Sequence, residues 1–293
     1  MRFDPTSLAK YGRLTMIARN LVEGFLTGVH KSPYKGFSVE FAEHRQYYPG
    51  DEIRHIDWRA YGKTDRYYIK EYEEETNLKA HLLVDASGSM AYRGRHGSKF
   101  EYAQYIAASL AYLMLHQRDA VGLVTHDTRL RQKIEPRANS KHLLHLIRTL
   151  EQTQPGGETS LAPLWHDLAG QLKRRGMIVI LSDCFEEIGP LMRALMHFRH
   201  RRHEVLLFHI LAPEEIEFPF KKWTQFRNLE VSGHKLLVDP NRLRKEYLQN
   251  FQDFCRQLRE QAGGMQIDYH LMRTDEPVER ALGAYLTKRQ SRR

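Results

Sequence analysis

The chain has 293 residues, 41% hydrophobic and 28% charged, and 45 basic against 36 acidic side chains give it a formal charge of +9. That is the composition of a soluble globular protein, long enough for one large domain or a domain with an appendage. Two cysteines, Cys184 and Cys255, exclude a disulfide framework and a C-x-x-C metal pair, and point to a reducing cytoplasm. The N-terminus lacks a basic-then-apolar leader pattern. The longest uncharged helical run, Ala103 to Leu115, falls short of the about 20 apolar residues that a bilayer requires. The basic residues are scattered, clustering only at Arg199 to His203 and in the Lys288 to Arg293 tail. The charge is thus read as solubility first and as affinity for nucleic acid or acidic surfaces second.

In chain order, residues 8–26 carry helical spacing at Leu14, Ile17, Leu21 and Phe25, with Gly24 and Gly28 as breaks and a loop through Gly36. Alternation at Phe37, Val39 and Phe41 reads as a strand. Pro49-Gly50-Asp51 is a turn surrounded by Arg45, Tyr47, Arg54, Asp57 and Trp58. That set suits either a partner-facing latch or a salt-bridged turn that pins the segment down. Tyr67 to Glu75 resembles a strand ending in acidic residues. From Lys79 the rhythm becomes strand, helix, strand, helix. The strand His81 to Val84 is followed by a Ser98-x-x-Glu101 capping box, which opens a helix to about His116 that is apolar nearly all round and so buried. Ala120 to Val124 and Leu130 to Ile134 form a hairpin through Asp127-Thr128. Asn139 caps a helix to Leu150, and a Gly-rich loop at 155–160 precedes a helix from Leu161 to about Arg174. Met177 to Leu181 is the most β-like run. A helix from Leu191 to His200 and a strand from Val205 to Ile210 follow it. Residues 212–238 read as a β excursion with strands at Leu229 to Val231 and Leu236 to Val238. Asp239 and Pro240 open a helix to about Gln261, then come a strand from Met265 to Leu271 and a helix from Val278 to Leu286. The alternation predicts an α/β fold, a doubly wound and mostly parallel sheet in residues 79–290, behind a small N-terminal helical and β segment in residues 1–78.

The chemistry concentrates at predicted strand ends. The run Leu82-Leu83-Val84 ends in Asp85, with Ser87 and Ser89 two and four residues on. Thr159 lies in the Gly-rich turn, and Asp183 follows the strand ending at Leu181. Loops at the carboxyl edge of such a sheet converge, so Asp85, Ser87, Ser89, Thr159 and Asp183 are expected to meet. All five offer oxygen, which suits a hard cation such as Mg²⁺, or Mn²⁺ or Ca²⁺ in its place.

This set resembles a von Willebrand factor A-type domain with a metal-ion-dependent adhesion site. The resemblance implies direct ligation by Ser87, Ser89 and Thr159, with Asp85 and Asp183 acting mainly through water. Glu158 departs from the usual loop by standing between the glycines and the threonine. With the segment Arg45-x-Tyr47-x-Pro49-Gly50-Asp51, Arg54, Ile56-Asp57-Trp58 and Lys70-Glu71-Tyr72-Glu73, the chain is similar to the bacterial domain-of-unknown-function family fifty-eight. That resemblance implies a MoxR-type AAA+ ATPase as partner, and a client that completes the metal shell with an acidic side chain. The expected function is therefore a non-enzymatic, Mg²⁺-dependent binding adaptor.

The competing class is a Mg²⁺-dependent hydrolase of phosphate esters or nucleic acid, suggested by the metal set and the +9 charge. Such an enzyme wants several carboxylates directly on its metal, whereas hydroxyls dominate here. Cys184 follows an apolar strand and reads as a small buried side chain rather than a nucleophile. No Lys-Ser/Thr follows the Gly-rich loop to make it a phosphate-binding P-loop. The spaced histidines His142/His145 and His197/His200/His203 lack nearby Cys or carboxylate partners and read as surface.

Overall fold

The computed structural model describes residues 13–30, 44–46, 61–62, 67–70, 78–172, 174–230, 233 and 235–290. The chain divides into two compact units, residues 28–77 and residues 1–27 with 78–293. Within the smaller unit, β1 (His44–Gln46) pairs antiparallel with β2 (Tyr68–Lys70), and the rings of Tyr61 and Tyr67 stack at 4.5 Å. The strand expected from Phe37 and the turn around Pro49 lie outside the described residues.

The helix α1 (Arg13–His30), most of which belongs to the larger unit, buries Leu14, Ala18 and Val22, a stripe at i, i+4 and i+8. Contrary to expectation, it runs through Gly24 and Gly28 without a break. A helical glycine costs only about 1 kcal/mol against alanine, too little to stop a helix by itself.

Six strands form the central sheet in the order β12-β9-β8-β3-β6-β7. They are β3 (Lys79–Asp85), β6 (Ala120–His126), β7 (Leu130–Arg137), β8 (Met177–Ser182), β9 (Glu204–Leu211) and β12 (Asp268–Arg273). All pairs are parallel except the β6–β7 hairpin. Every residue of β8 is buried, as is β3 from Ala80 on. Strands covered on both faces carry continuous apolar runs rather than alternation, which is why their sequences stand out.

The helices are α2 (Lys99–His116), α3 (Ser140–Gln152), α4 (Leu161–Gln171), α5 (Ile188–His200), α6 (Pro213–Glu217), α7 (Pro240–Gly264) and α8 (Glu279–Gln290). The Ser98 capping box forms as expected: Glu101 N–H donates to Ser98 Oγ at 3.1 Å, and Ser98 N–H to Glu101 Oε2 at 3.0 Å. The α/β, doubly wound, mostly parallel architecture predicted for this part of the chain is the one observed.

Three local expectations fail. The β excursion pairs β10 (Thr224–Arg227) with β11 (Lys235–Val238), and Leu229 and Glu230 lie in the bend between them. Asn228 Oδ1 accepts Glu230 N–H at 2.8 Å and turns the chain there. The short helix α6 occupies residues expected to be extended. The last strand begins at Asp268, because Gln266 at φ 56° ends α7 before Ile267.

Two two-residue strands, β4 (Arg93–Gly94) and β5 (Gly97–Ser98), bring the chain from the β3 turn to α2.

Candidate functional site

The chain enters the sheet at its middle. From β3 it crosses to β6 on one side, and later returns to β8 on the other. The order reverses between β3 and β8, and the crevice beyond the carboxyl ends of such a strand pair is where open α/β sheets bind ligands. Asp85 ends β3 and Asp183 directly follows β8.

Both carboxylates are fully buried. Asp85 Oδ1 accepts the backbone N–H of Ser87 at 2.9 Å, and Oδ2 accepts the Ser182 hydroxyl at 2.6 Å. Ser87 Oγ and Ser89 Oγ lie 3.1 Å apart. Gly88 between them donates its N–H to Gly157 O at 2.9 Å, and Gly156 N–H donates to Ala86 O at 2.9 Å. The Gly-rich loop is thus stitched to the serine turn by two backbone bonds. A Cβ on Gly88 would stand 2.3 Å from Leu229 O and 2.8 Å from Gly157 O, so only glycine fits there. Arg131 braces the loop from the far side, donating to Asp127 Oδ2 at 2.7 Å and to the carbonyls of Gln154 and Gly156. Thr159 follows the stitched glycines, with its N–H 3.2 Å from Glu230 Oε2 and its hydroxyl bonded to Glu230 Oε1. Glu158 is exposed. The serine turn, the Gly-rich loop and the β8 end therefore converge at one edge of the sheet.

A fourth charged group joins them that the strand-end reading does not include. Lys99, at the first turn of α2, is only 1% exposed, and its Nζ donates to Asp183 Oδ2 at 2.7 Å and Glu215 Oε1 at 2.6 Å. Burial pulls its pKa down, but the two carboxylates outweigh burial and hold the ammonium above its ordinary value. Asp85 is pushed up to about 7, first by burial and then by the charge of Asp183. Burial likewise raises Glu215 against the pull of Lys99. Asp183 and Glu215 thus share one ammonium, while the buried Asp85 keeps its oxygens on the Ser87 N–H and the Ser182 hydroxyl. A lysine at the mouth of an otherwise apolar helix is the one available signal for Lys99. Nothing local marks Glu215 or Glu230.

Neighbouring nucleophiles are inert. Cys184 is fully buried, and its thiol is held well above its usual value by burial and then by Asp183. Ser182 Oγ spends its proton on Asp85 and accepts from Cys184 N–H. Of the spaced histidines, His145 and His200 are exposed as expected, but His142 and His203 are buried, where they bond the carbonyls of Val121 and Leu172, and the His197 ring meets that of His166 at 4.3 Å. Arg199, in the basic cluster, is taken up by the carbonyls of His203 and Met265 and by Gln266 Oε1. Among the described residues, no group of three His, Cys, Asp or Glu is set to hold a metal, and no helix is long and apolar enough to cross a membrane. Tyr47, Asp51, Arg54, Asp57 and Trp58 lie outside the described residues; Arg45 is described only as backbone in β1, opposite Ile69.

Fold and site together define an open α/β domain that gathers buried oxygen side chains at its topological switch point. The family described as "Protein of unknown function DUF58" matches residues 43–255, and the chain belongs to that family. The chain is 29% identical over 221 residues to the uncharacterized proteins Rv1480 of Mycobacterium tuberculosis and Mb1516 of Mycobacterium bovis, covering 74% of this chain and 68% of each of those. Among solved structures it is similar to the conserved hypothetical protein BatB from Bacteroides thetaiotaomicron, with TM-score 0.52, 14% identity, and 72% and 98% of the two chains covered. It is also similar to an aerotolerance-related membrane protein from Bacteroides fragilis, with TM-score 0.51, 15% identity, and 71% and 97% covered. These structural likenesses concern the fold.

Proposed function

We propose that this chain is a non-enzymatic, Mg²⁺-dependent protein-binding adaptor with a von Willebrand factor A-like adhesion site built from Asp85, Ser87, Ser89, Thr159 and Asp183. The observation that carries the reading is the gathering of oxygen side chains at the switch point, where the buried Asp85 and Asp183 carboxylates end neighbouring strand segments beside the Ser87 and Ser89 hydroxyls. Burial and Asp183 push Asp85 toward its neutral form, and a divalent cation there would favour the ionised form instead. The 3.1 Å between Ser87 Oγ and Ser89 Oγ matches the about 3 Å between adjacent ligands of an octahedral ion with bonds of about 2.1 Å. When bound, the ion would act as a Lewis acid that accepts a carboxylate from outside. The chain's own residues do the rest. Ser182 and the Ser87 N–H orient Asp85, Lys99 fixes Asp183, and the Gly156 and Gly157 backbone bonds hold the Thr159 loop against the serine turn.

The partners proposed are a MoxR-type AAA+ ATPase and a client presenting an acidic side chain, met in the cytoplasm, with Arg45, Tyr47, Asp51, Arg54, Asp57 and Trp58 on the partner-facing segment. Two free cysteines agree with a reducing compartment. Isothermal titration of Mg²⁺ into the wild type and Asp85→Ala tests the metal: binding to the first and not to the second is expected, and equal heats would remove the assignment. Co-elution with a purified MoxR-type ATPase from the same genome, in Mg²⁺ and in EDTA, tests the partner; retention in both buffers or neither would break the metal-dependent link.

A further inference from the structure

The β10–β11 hairpin is thinly supported. Its residues Leu236 and Leu237 are 59% and 60% exposed. Between the hairpin, α6 and α7 lies a groove of about 430 Å³ walled by Phe218, Phe226, Leu236 and Tyr247. Its bend is nevertheless seated tightly at the crevice. The Leu229 carbonyl packs on Gly88 so closely that a methyl group would not fit. The Asn228 side chain fixes the backbone of Glu230, and both Glu230 oxygens engage Thr159. Glu230 is thus a carboxylate, presented by a turn built to present it, on the hydroxyl of a proposed metal ligand.

Resting on the adaptor reading, we propose that Glu230 is a sixth oxygen donor of the metal site, supplied by this chain's own hairpin in the position a partner's acid would take. The Glu230 carboxylate meets Thr159 at both its N–H and its hydroxyl, and neighbouring oxygens of an octahedral shell stand at a comparable separation, about 3 Å. Metal and hairpin tip then stabilise each other, and an incoming carboxylate competes with Glu230. Glu230 differs from Glu215, whose carboxylate is spent on the buried Lys99 ammonium. It is partly exposed and bonded through groups a cation can replace.

The test uses the full chain and Mg²⁺ alone. Glu230→Gln keeps the shape and removes the charge. Its Mg²⁺ affinity by titration calorimetry is expected to fall about ten-fold, the scale seen when a group supporting a metal is removed. In amide hydrogen exchange, Mg²⁺ is expected to add protection at residues 228–230 in the wild type and none in Glu230→Gln. Equal or tighter Mg²⁺ binding by Glu230→Gln, or Mg²⁺-induced protection that survives the substitution, overturns the proposal. In that event Asp85→Ala, if still unable to bind, leaves the adaptor reading standing. Should the wild type itself bind no Mg²⁺, the adaptor reading and this one fall together. Glu230→Asp, with charge kept and reach shortened, is expected to lie between wild type and Glu230→Gln, and a value below Glu230→Gln also counts against a donor role.

Discussion

Replacing Lys99 with Met tests the electrostatic account of the crevice most directly. Methionine nearly matches the volume of the lysine stem but leaves Asp183 and Glu215 without their shared ammonium. At 1% exposure for Lys99 and 0% for Asp183, solvent screens almost nothing. Removing one partner of a buried pair costs about 3–5 kcal/mol. The cost has a ceiling set by proton uptake: a carboxylate left alone raises its pKa and neutralises itself, and each unit of rise is about 1.4 kcal/mol. The sign follows. In Lys99→Met the folded-state carboxylate pKa lies above the unfolded value, so stability is regained as pH falls and the penalty is smaller at pH 5 than at pH 8. Urea unfolding of both proteins in EDTA at the two pH values reads this directly. The double variant Lys99→Met/Glu215→Gln should recover part of the loss, because it removes one of the stranded charges. A Lys99→Met protein within about 1 kcal/mol of wild type at pH 8 would refute the reasoning, since stranding a buried charge here would then cost far less than burial demands.

Ser98→Ala removes the α2 capping box and is expected to cost about 1 kcal/mol, read as a lower urea midpoint at unchanged slope; no shift would mean the cap contributes nothing. His81, His126 and His209 are each pulled down from 6.5 to about 4, chiefly by burial. Folded values below the unfolded value make their contribution complete above pH 6.5 and lost as pH falls toward 4, at about 1.4 kcal/mol per unit for each. Asp85 and Glu215, both raised, work in the opposite direction. Without metal, the buried histidines outnumber the raised carboxylates, so stability is expected to fall on acidification, and urea midpoints unchanged between pH 7 and 5 would contradict it.

The parts of this fold that could be read from the chain are those whose cause is local. Leu82 to Val84 and Met177 to Leu181 advertise strands because both faces are buried, and Ser98 with Glu101 advertises a helix start because the cap is made within one turn. That the serine turn, the Gly-rich loop and the end of β8 share one edge of the sheet could be anticipated, because topology brings strand ends together. Lys99, Glu215 and Glu230 could not, because a charged residue reads as surface until its partner is known, and those partners lie 84, 116 and 71 positions away. Leu229 to Val231 misleads for the converse reason. An apolar, acidic, apolar alternation looks like a strand, yet Leu229 and Glu230 are held in a bend by Gly88 and Thr159, which only the folded molecule supplies.

The hairpin that reverses the sheet's direction has an effect on how copies of the molecule meet. β7 is its outer margin, a row of backbone donors and acceptors of the kind onto which a foreign strand can add. Arg131, Lys133 and Glu135 stud that margin, Pro136 deletes one donor, and the pairing with β6 slips between Val121 and Leu123, where Gly122 lets the Ile134 carbonyl come close. Charge, a missing donor and a kinked ladder together make a poor template. On the β7 side, a sheet whose middle strands are continuous apolar runs thereby ends in a selvedge ill-suited to a further strand.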